Sequence, residues 1–353
     1  MNAAEHLEGM VLDGKWTVIE KVTRNPKATG GHFSVGYRVQ HPSGHNAYLK
    51  ALDFSAAFER ENFVVHLEAM SHAYNFEVDV LKQCGEKRMS RVIKAIAYGE
   101  ARVNAIPSPG DRVCYIIFER ADGDIRPEEG FFQAFDFAFG MRVLHNAAVG
   151  LMQLHQSGIA HQDVKPSNVL LFAEEGAKIA DLGCASVKGV RSPRDEFLIP
   201  GDYGYAPLDQ WYKVSSGRSM EDRFINDLYL LGNLIFYLFL GVSATHTIMS
   251  KLTGLEIQLG DNFANDLPHI SHAMTLSLVD LRNSIQDMTG TVSNRFDKAV
   301  AEELLSIASE LCEPDPAKRG DLNASKRGIP RHSLIRYISR FDLLAKKAEF
   351  QLK

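Results

Sequence analysis

Cysteine is scarce in this chain: four in 353 residues, at Cys84, Cys114, Cys184 and Cys312, too scattered to form a CxxC pair. That spacing argues against a disulfide framework and a cysteine-based zinc site, so a reducing, cytoplasmic setting is expected. Basic charge is not in excess either. Lys and Arg total 39 against 44 Asp and Glu, a formal charge of -5, which argues against nucleic-acid binding through a basic surface. The opening residues Met1 to His6 have neither the basic nor the apolar segment of a signal peptide, and Asn2 stands where myristoylation needs glycine. Repeats and low-complexity linkers are missing. The one long apolar run, residues 228–244, follows Asp227, contains Asn233 and is interrupted by Gly232 and Gly241. Such a run is expected to be a buried core helix rather than a membrane span. His269 and His272 lie close together without a cysteine or acidic ligand pattern, so no metal is expected there.

What is present is a change of character along the chain. β-formers cluster at residues 16–19, 37–40, 47–52, 91–96 and 113–118, which predicts strands. Phe76, Val80 and Leu81 fall on one face of a predicted helix. Beyond residue 121 the pattern turns helical, with long amphipathic stretches at 131–156 and 299–311. Residues 332–353 predict a basic amphipathic helix with Leu334, Ile335, Ile338, Phe341 and Leu344 on its apolar face, either packed on the rest of the chain or free for a partner. The fold class expected is α+β, with two lobes. Its divisions are an N-terminal extension at 1–14, a strand-rich lobe at 15–121, a helical lobe at 122–331 and a terminal helix at 332–353.

The chemistry concentrates in His161-Gln162-Asp163-Val164-Lys165-Pro166-Ser167-Asn168, between two apolar stretches, with Asp181-Leu182-Gly183 after the next strand. A carboxylate, an ammonium and an amide at short fixed offsets suit phosphoryl transfer. Asp163 can orient an attacking hydroxyl and take its proton, and Lys165 can neutralise charge on the transferred group. Asn168 and Asp181 offer hard oxygen ligands for Mg²⁺. Ordinary turn chemistry accounts for Asp, Lys and Asn singly, but not for the second carboxylate after the next strand.

These residues resemble the H-R-D-L-x-x-x-N and D-F-G signature of protein kinases, and the resemblance spans about residues 15–320. It implies a two-lobed, kinase-like fold and a eukaryotic-type Ser/Thr kinase that uses ATP and Mg²⁺, acts on protein hydroxyls and has the capacity to phosphorylate itself. Nucleic acid and membrane spanning are not expected. In the small lobe it implies phosphate contacts from Gly30, Gly31, Phe33 and Ser34, and a phosphate-binding Lys50 paired with a helix carboxylate. That carboxylate is expected to be Glu77, with Glu68 and Glu61 as fallbacks. Glu119 and Ala121 would offer backbone groups to adenine, Asp124 would reach the ribose and Leu170 would lie under the adenine. Lys165, two residues after the base, resembles Ser/Thr kinases more than tyrosine or small-molecule kinases. A nucleotide-binding scaffold without catalysis and a small-molecule kinase are the alternatives.

The departures from the family pattern carry their own expectations. Tyr48 stands where a small residue is usual and Gly36 near where a valine is usual, which predicts an exchange of volume between them. Gln162 replaces the arginine that pairs with a phosphate on the activation segment, so activity without phosphorylation between Asp181 and Ala206 is expected. Leu208 replaces a glutamate that pairs with a later arginine, here Arg319, and Asp209 is the displaced partner. The segment 200–205 lacks the usual threonine, leaving Asp202 to receive Lys165. Asp227 is expected to hold the backbone of the catalytic loop.

Overall fold

A computed structural model of the chain describes residues 2–22, 34–58, 61–108, 110–126, 136–212, 219–290 and 298–351. It resolves into two compact units, Met1–Gly123 and Asp124–Lys353. The break falls inside a two-residue strand, Gly123–Asp124, rather than after residue 121 as expected.

The first unit is built on a six-stranded antiparallel sheet. Its strands are β1 (Val11–Leu12), β2 (Trp16–Lys21), β3 (Ser34–Gln40), β4 (Asn46–Leu52), β5 (Ala95–Arg102) and β6 (Arg112–Glu119), in the order β1-β2-β3-β4-β6-β5. Val35, Tyr37 and Val39 on β3, with Ala47, Leu49 and Ala51 on β4, are all buried. This period of two puts one face of the sheet into the core. A single turn α1 (Ser55–Phe58) precedes the long helix α2 (Phe63–Glu86).

Two expectations are corrected here. Of residues 1–14, expected as an extension, the described ones pack into the first unit. The Asn2 side chain caps the turn Ala3–Glu5, Ala3, Ala4 and Leu7 are buried in the sheet's core cluster, and Tyr37 Oη donates to the Ala4 carbonyl at 2.6 Å. The strand expected at 91–96 instead begins at Ala95 and runs to Arg102. Val92 and Ile93 are buried ahead of it; a short apolar run does not reveal from its sequence whether it enters a ladder or plugs a core.

After β7 (Gly123–Asp124) the second unit is helical around small strands. Helix α3 (Phe137–His155) is capped by Asp136, whose carboxylate accepts from Ala138 N at 2.8 Å. The expected start at 131 lies outside the described residues. Strands β8 (Ile159–Ala160) and β11 (Ser186–Val187) pair, as do β9 (Val169–Phe172) and β10 (Gly176–Ile179). A short turn α4 (Leu208–Trp211) leads to α5 (Met220–Leu240), the apolar run read from the sequence. Long and apolar enough to cross a membrane, α5 has 83% of that stretch buried inside the protein. Beyond it come α6 (Ala244–Gly254), α7 (Phe263–Gly290) and α8 (Lys298–Leu311).

The terminal helix α9 (Ile335–Gln351) belongs to this unit and packs along α3. Arg142 of α3 reaches Asp342 at 2.7 Å and Glu349 at 2.7 Å. Its buried face is Tyr337, Phe341, Leu344, Ala345 and Ala348, while Ile335, placed on that face by the sequence, is 55% exposed. Ile335 is the first helical residue, and the buried stripe at helical spacing starts two positions later.

Candidate active site

The site in the second unit grows from β8, whose two buried residues deliver the chain to His161. Asp227 of α5, fully buried, takes this loop by its backbone. Its Oδ2 accepts from His161 N at 2.8 Å and from His155 Nε2 at 2.8 Å, and its Oδ1 accepts from Gln162 N at 2.7 Å. Gln162 sits there at φ 63°, a left-handed conformation that a non-glycine residue keeps only when its surroundings impose it. His161 Nε2 donates to the Ala180 carbonyl at 3.0 Å, which leaves Nδ1 to accept from Asp163 N at 3.2 Å.

The β9–β10 hairpin supplies the second half. Its register pairs Val169 with Ile179, so the residues flanking the hairpin, Asn168 and Ala180, meet at its open end. Ala180 N donates to the Asn168 carbonyl at 2.8 Å. Asp181 follows directly, itself left-handed at φ 62°. Asn168 and Asp181, 13 positions apart in sequence, thus come from the two ends of one hairpin.

Both carboxylate oxygens of Asp163 are engaged. Oδ1 accepts from Asp202 N at 2.9 Å, and Oδ2 from Asn168 Nδ2 at 3.1 Å, with Lys165 Nζ also 3.1 Å from Oδ2. Burial, and secondarily the charge of Asp181, push the Asp163 carboxyl above its ordinary range, against the opposing pull of Lys165. Lys165 lies 3.3 Å from Asp202 Oδ2 as well. Burial acts to lower its ammonium, but the two carboxylates outweigh it and hold the group above its ordinary value.

Gly201 is required by this closeness. A Cβ there would lie 2.7 Å from Asp163 Oδ1 and 3.0 Å from its Cβ. Only a residue without a side chain lets the segment lie on the carboxylate.

The first unit holds its own pair. Leu49 and Ala51 point into the core, and Lys50 between them lies on the other face of β4. Its Nζ reaches Glu77 Oε1 at 2.9 Å and Oε2 at 3.1 Å, with the Glu77 side chain only 6% exposed. Glu68 and Glu61, the fallbacks, are exposed. Tyr48 lies across Gly36, where an added Cβ would come within 3.0 Å of the tyrosine ring carbons. The two sit on neighbouring strands two register positions apart, since Gly36 faces Lys50 and Arg38 faces Tyr48, with the Tyr37–Leu49 pair between them. The exchanged volumes therefore occupy one space.

Other expected residues are placed as follows. Gly30, Gly31 and Phe33 lie outside the described residues; Ser34 opens β3 opposite Leu52. Glu119 N donates to the Lys94 carbonyl at 3.1 Å, so that backbone donor is already used. Ala121 is half-buried just beyond β6. Leu170 is half-buried on β9 opposite Lys178. The Asp124 carboxylate, expected to reach a ribose, is held by Arg126 through its Nε at 2.9 Å and Nη2 at 2.7 Å. As to a metal, the Asn168 amide oxygen and the Asp181 carboxylate are the hard oxygen donors that Mg²⁺ takes. The Asn168 Nδ2 bonds to Asp163 engage the amide nitrogen, so its oxygen, which also accepts from Ser167 Oγ at 3.3 Å, is the atom the amide offers such a ligand.

The displaced partner of Arg319 is Asp209. Both are fully buried, at 2.5 Å, with Arg319 also donating to the Glu313 carbonyl at 2.8 Å and lying over the Tyr229 ring. The sequence did not reveal a further set, Ser186, Asp195 and Arg223, which meets Gln162.

A family profile, "Protein kinase domain", matches residues 30–326. A cysteine-rich receptor-like protein kinase 34 of Arabidopsis thaliana is 24% identical over 299 residues, covering 82% of this chain and 38% of that protein. A "Probable cell division protein kinase" of Encephalitozoon cuniculi is 24% identical over 315 residues, 87% of this chain and 88% of its own length. A calcium and calcium/calmodulin-dependent serine/threonine-protein kinase of Lilium longiflorum is 27% identical over 216 residues, 58% of this chain and 39% of that protein. The chain thus spans well under half the length of the Arabidopsis and Lilium relatives.

Proposed function

This chain belongs to the protein kinase family, and on that premise we propose that it transfers the γ-phosphoryl group of ATP, with Mg²⁺, to serine and threonine hydroxyls of proteins. The observation that carries the reading is the gathering of Asp163, Lys165, Asn168 and Asp181 at the end of one hairpin. Asp163 orients the acceptor hydroxyl and takes its proton. Lys165 offsets charge on the transferred group, and Asn168 and Asp181 hold Mg²⁺ by their oxygens. When bound, the metal neutralises phosphate charge. Lys50, fixed by Glu77, binds phosphate in the manner of the family's strand lysine.

Serine/threonine preference is supported by Lys165 and by the name of the Lilium relative. A cytoplasmic setting is supported by the four unpaired cysteines. Activity independent of phosphorylation in the segment 181–206 is supported by Gln162, whose amide Nε2 donates to Ser186 Oγ at 2.6 Å in place of a phosphate-binding guanidinium. Ser186 and Ser192 are 1% and 3% exposed, so neither hydroxyl is presented for modification.

The test is incubation with labelled ATP, Mg²⁺ and a generic basic protein, beside Asp163→Ala. Transfer to the protein, and to the chain itself, is expected, with a loss of about 10²–10⁴-fold in the variant. Phosphatase treatment beforehand should leave the rate unchanged. No transfer to any protein would move the assignment to a scaffold or to a small-molecule acceptor.

A further inference from the structure

The segment between Asp181 and Ala206 is tied down by side chains that the sequence pattern did not mark. Gln162 Nε2 donates to Ser186 Oγ at 2.6 Å. The Ser186 hydroxyl in turn donates to Asp195 Oδ1 at 3.2 Å. That same oxygen pairs with Arg223 Nη1, from the first turn of α5. The other oxygen, Oδ2, accepts from Ser192 N at 2.7 Å, and Ser192 Oγ accepts from Val187 N at 3.2 Å. The result is a directed chain of hydrogen bonds from the residue beside the catalytic base to an ion pair with α5.

The ion pair is not a surface contact. The Arg223 side chain is 9% exposed and that of Asp195 is 24% exposed. Solvent and salt screen a pair so placed far less than one in open water. One end of the tied segment, Ser186, is bonded to Gln162; beyond the other end, Asp202 N donates to the base itself at 2.9 Å. Arg194, next to Asp195, also holds the Pro200 carbonyl at 2.8 Å. Holding Asp195 therefore constrains the chain on both sides of the base.

Resting on the kinase reading above, we propose that Asp195 and Arg223 are positioning residues for phosphoryl transfer. Their ion pair, relayed through Ser186 to Gln162, keeps residues 186–202 in the form that receives the protein substrate. The chain's own carboxylate does this permanently, where an added phosphate bound to an arginine would do it conditionally.

The test uses the full chain with Asp195→Asn, Asp195→Glu and Arg223→Gln. Two readouts are taken: hydrogen exchange of the Val187 and Ser192 amides, and kinetics with ATP and a generic basic protein. Loss of one charged hydrogen bond predicts exchange faster on the order of ten- to a hundredfold in Asp195→Asn and Arg223→Gln. kcat/KM for the protein substrate should fall by a similar factor, while KM for ATP stays within about twofold of wild type. Asp195→Glu, which keeps the charge, should recover most of both. Exchange unchanged in Asp195→Asn and Arg223→Gln would overturn the proposal. So would faster exchange with kcat/KM unaltered, or a rise in KM for ATP as large as the fall in kcat/KM for the protein substrate. A wild-type chain that phosphorylates nothing would instead overturn the kinase reading and the catalytic half of this proposal, while exchange still decides whether the ion pair holds the segment.

Discussion

Asp163 receives three donors, from Asp202 N, Asn168 Nδ2 and Lys165 Nζ, yet burial still raises its pKa above the usual carboxylate range. In the proposed role of base, Asp163 must be ionised to accept a proton, so activity is lost as pH falls through that raised value. The acid limb of kcat/KM should therefore lie above the ordinary aspartate pKa of about 3.9. Lys165 favours the ionised form. Lys165→Ala should lower the rate by about tenfold or more and move the acid limb to higher pH, as a pH–rate profile would show. A limb that stays put or moves down would reject this account. The contact between Asp163 and Lys165 was legible because both lie in one loop at fixed offsets. The role of Gly201 was not, since a glycine shows no reason for its presence until the Asp163 side chain is seen against it.

Among the elements, the turn α4 and the stretch after α8 are joined by Asp209 and Arg319, 110 positions apart. Both side chains are wholly buried, and the pair supplies the counter-charge that Leu208 cannot. Asp209→Ala would leave the Arg319 guanidinium without it, a loss of about 3–5 kcal/mol. Denaturant unfolding should show a lower midpoint, and a midpoint equal to wild type would reject the role. The expected shift of the partner by one residue was readable from sequence because only one carboxylate adjoins Leu208. The extent of α9's buried face was less so: Ile335 and Tyr337 are both apolar enough, and the helix start decides which one turns inward.

At the scale of the whole molecule, the first unit includes its first residues as core. Deleting residues 2–8 would remove Leu7 from the core cluster and leave Tyr37 Oη without the Ala4 carbonyl. A loss on the order of 3–5 kcal/mol follows from the lost burial and the unmade bond. It should appear as a lower melting temperature, and an unchanged melting temperature would return these residues to the status of an extension. Period-two burial marked β3 and β4, and the apolar run marked α5, because local spacing records which face a strand or helix buries. The same holds for the loop 161–168 and Asp181, which one hairpin brings together. These features the sequence determined by itself. The resemblance pointed Lys50 to Glu77, 27 residues on, and tertiary structure chose it over Glu68 and Glu61; tertiary structure alone decided that Ser186 and Arg223 converge on Asp195. A charged side chain has many possible partners at such separations, and only the packing of strands and helices brings one of them within a hydrogen bond.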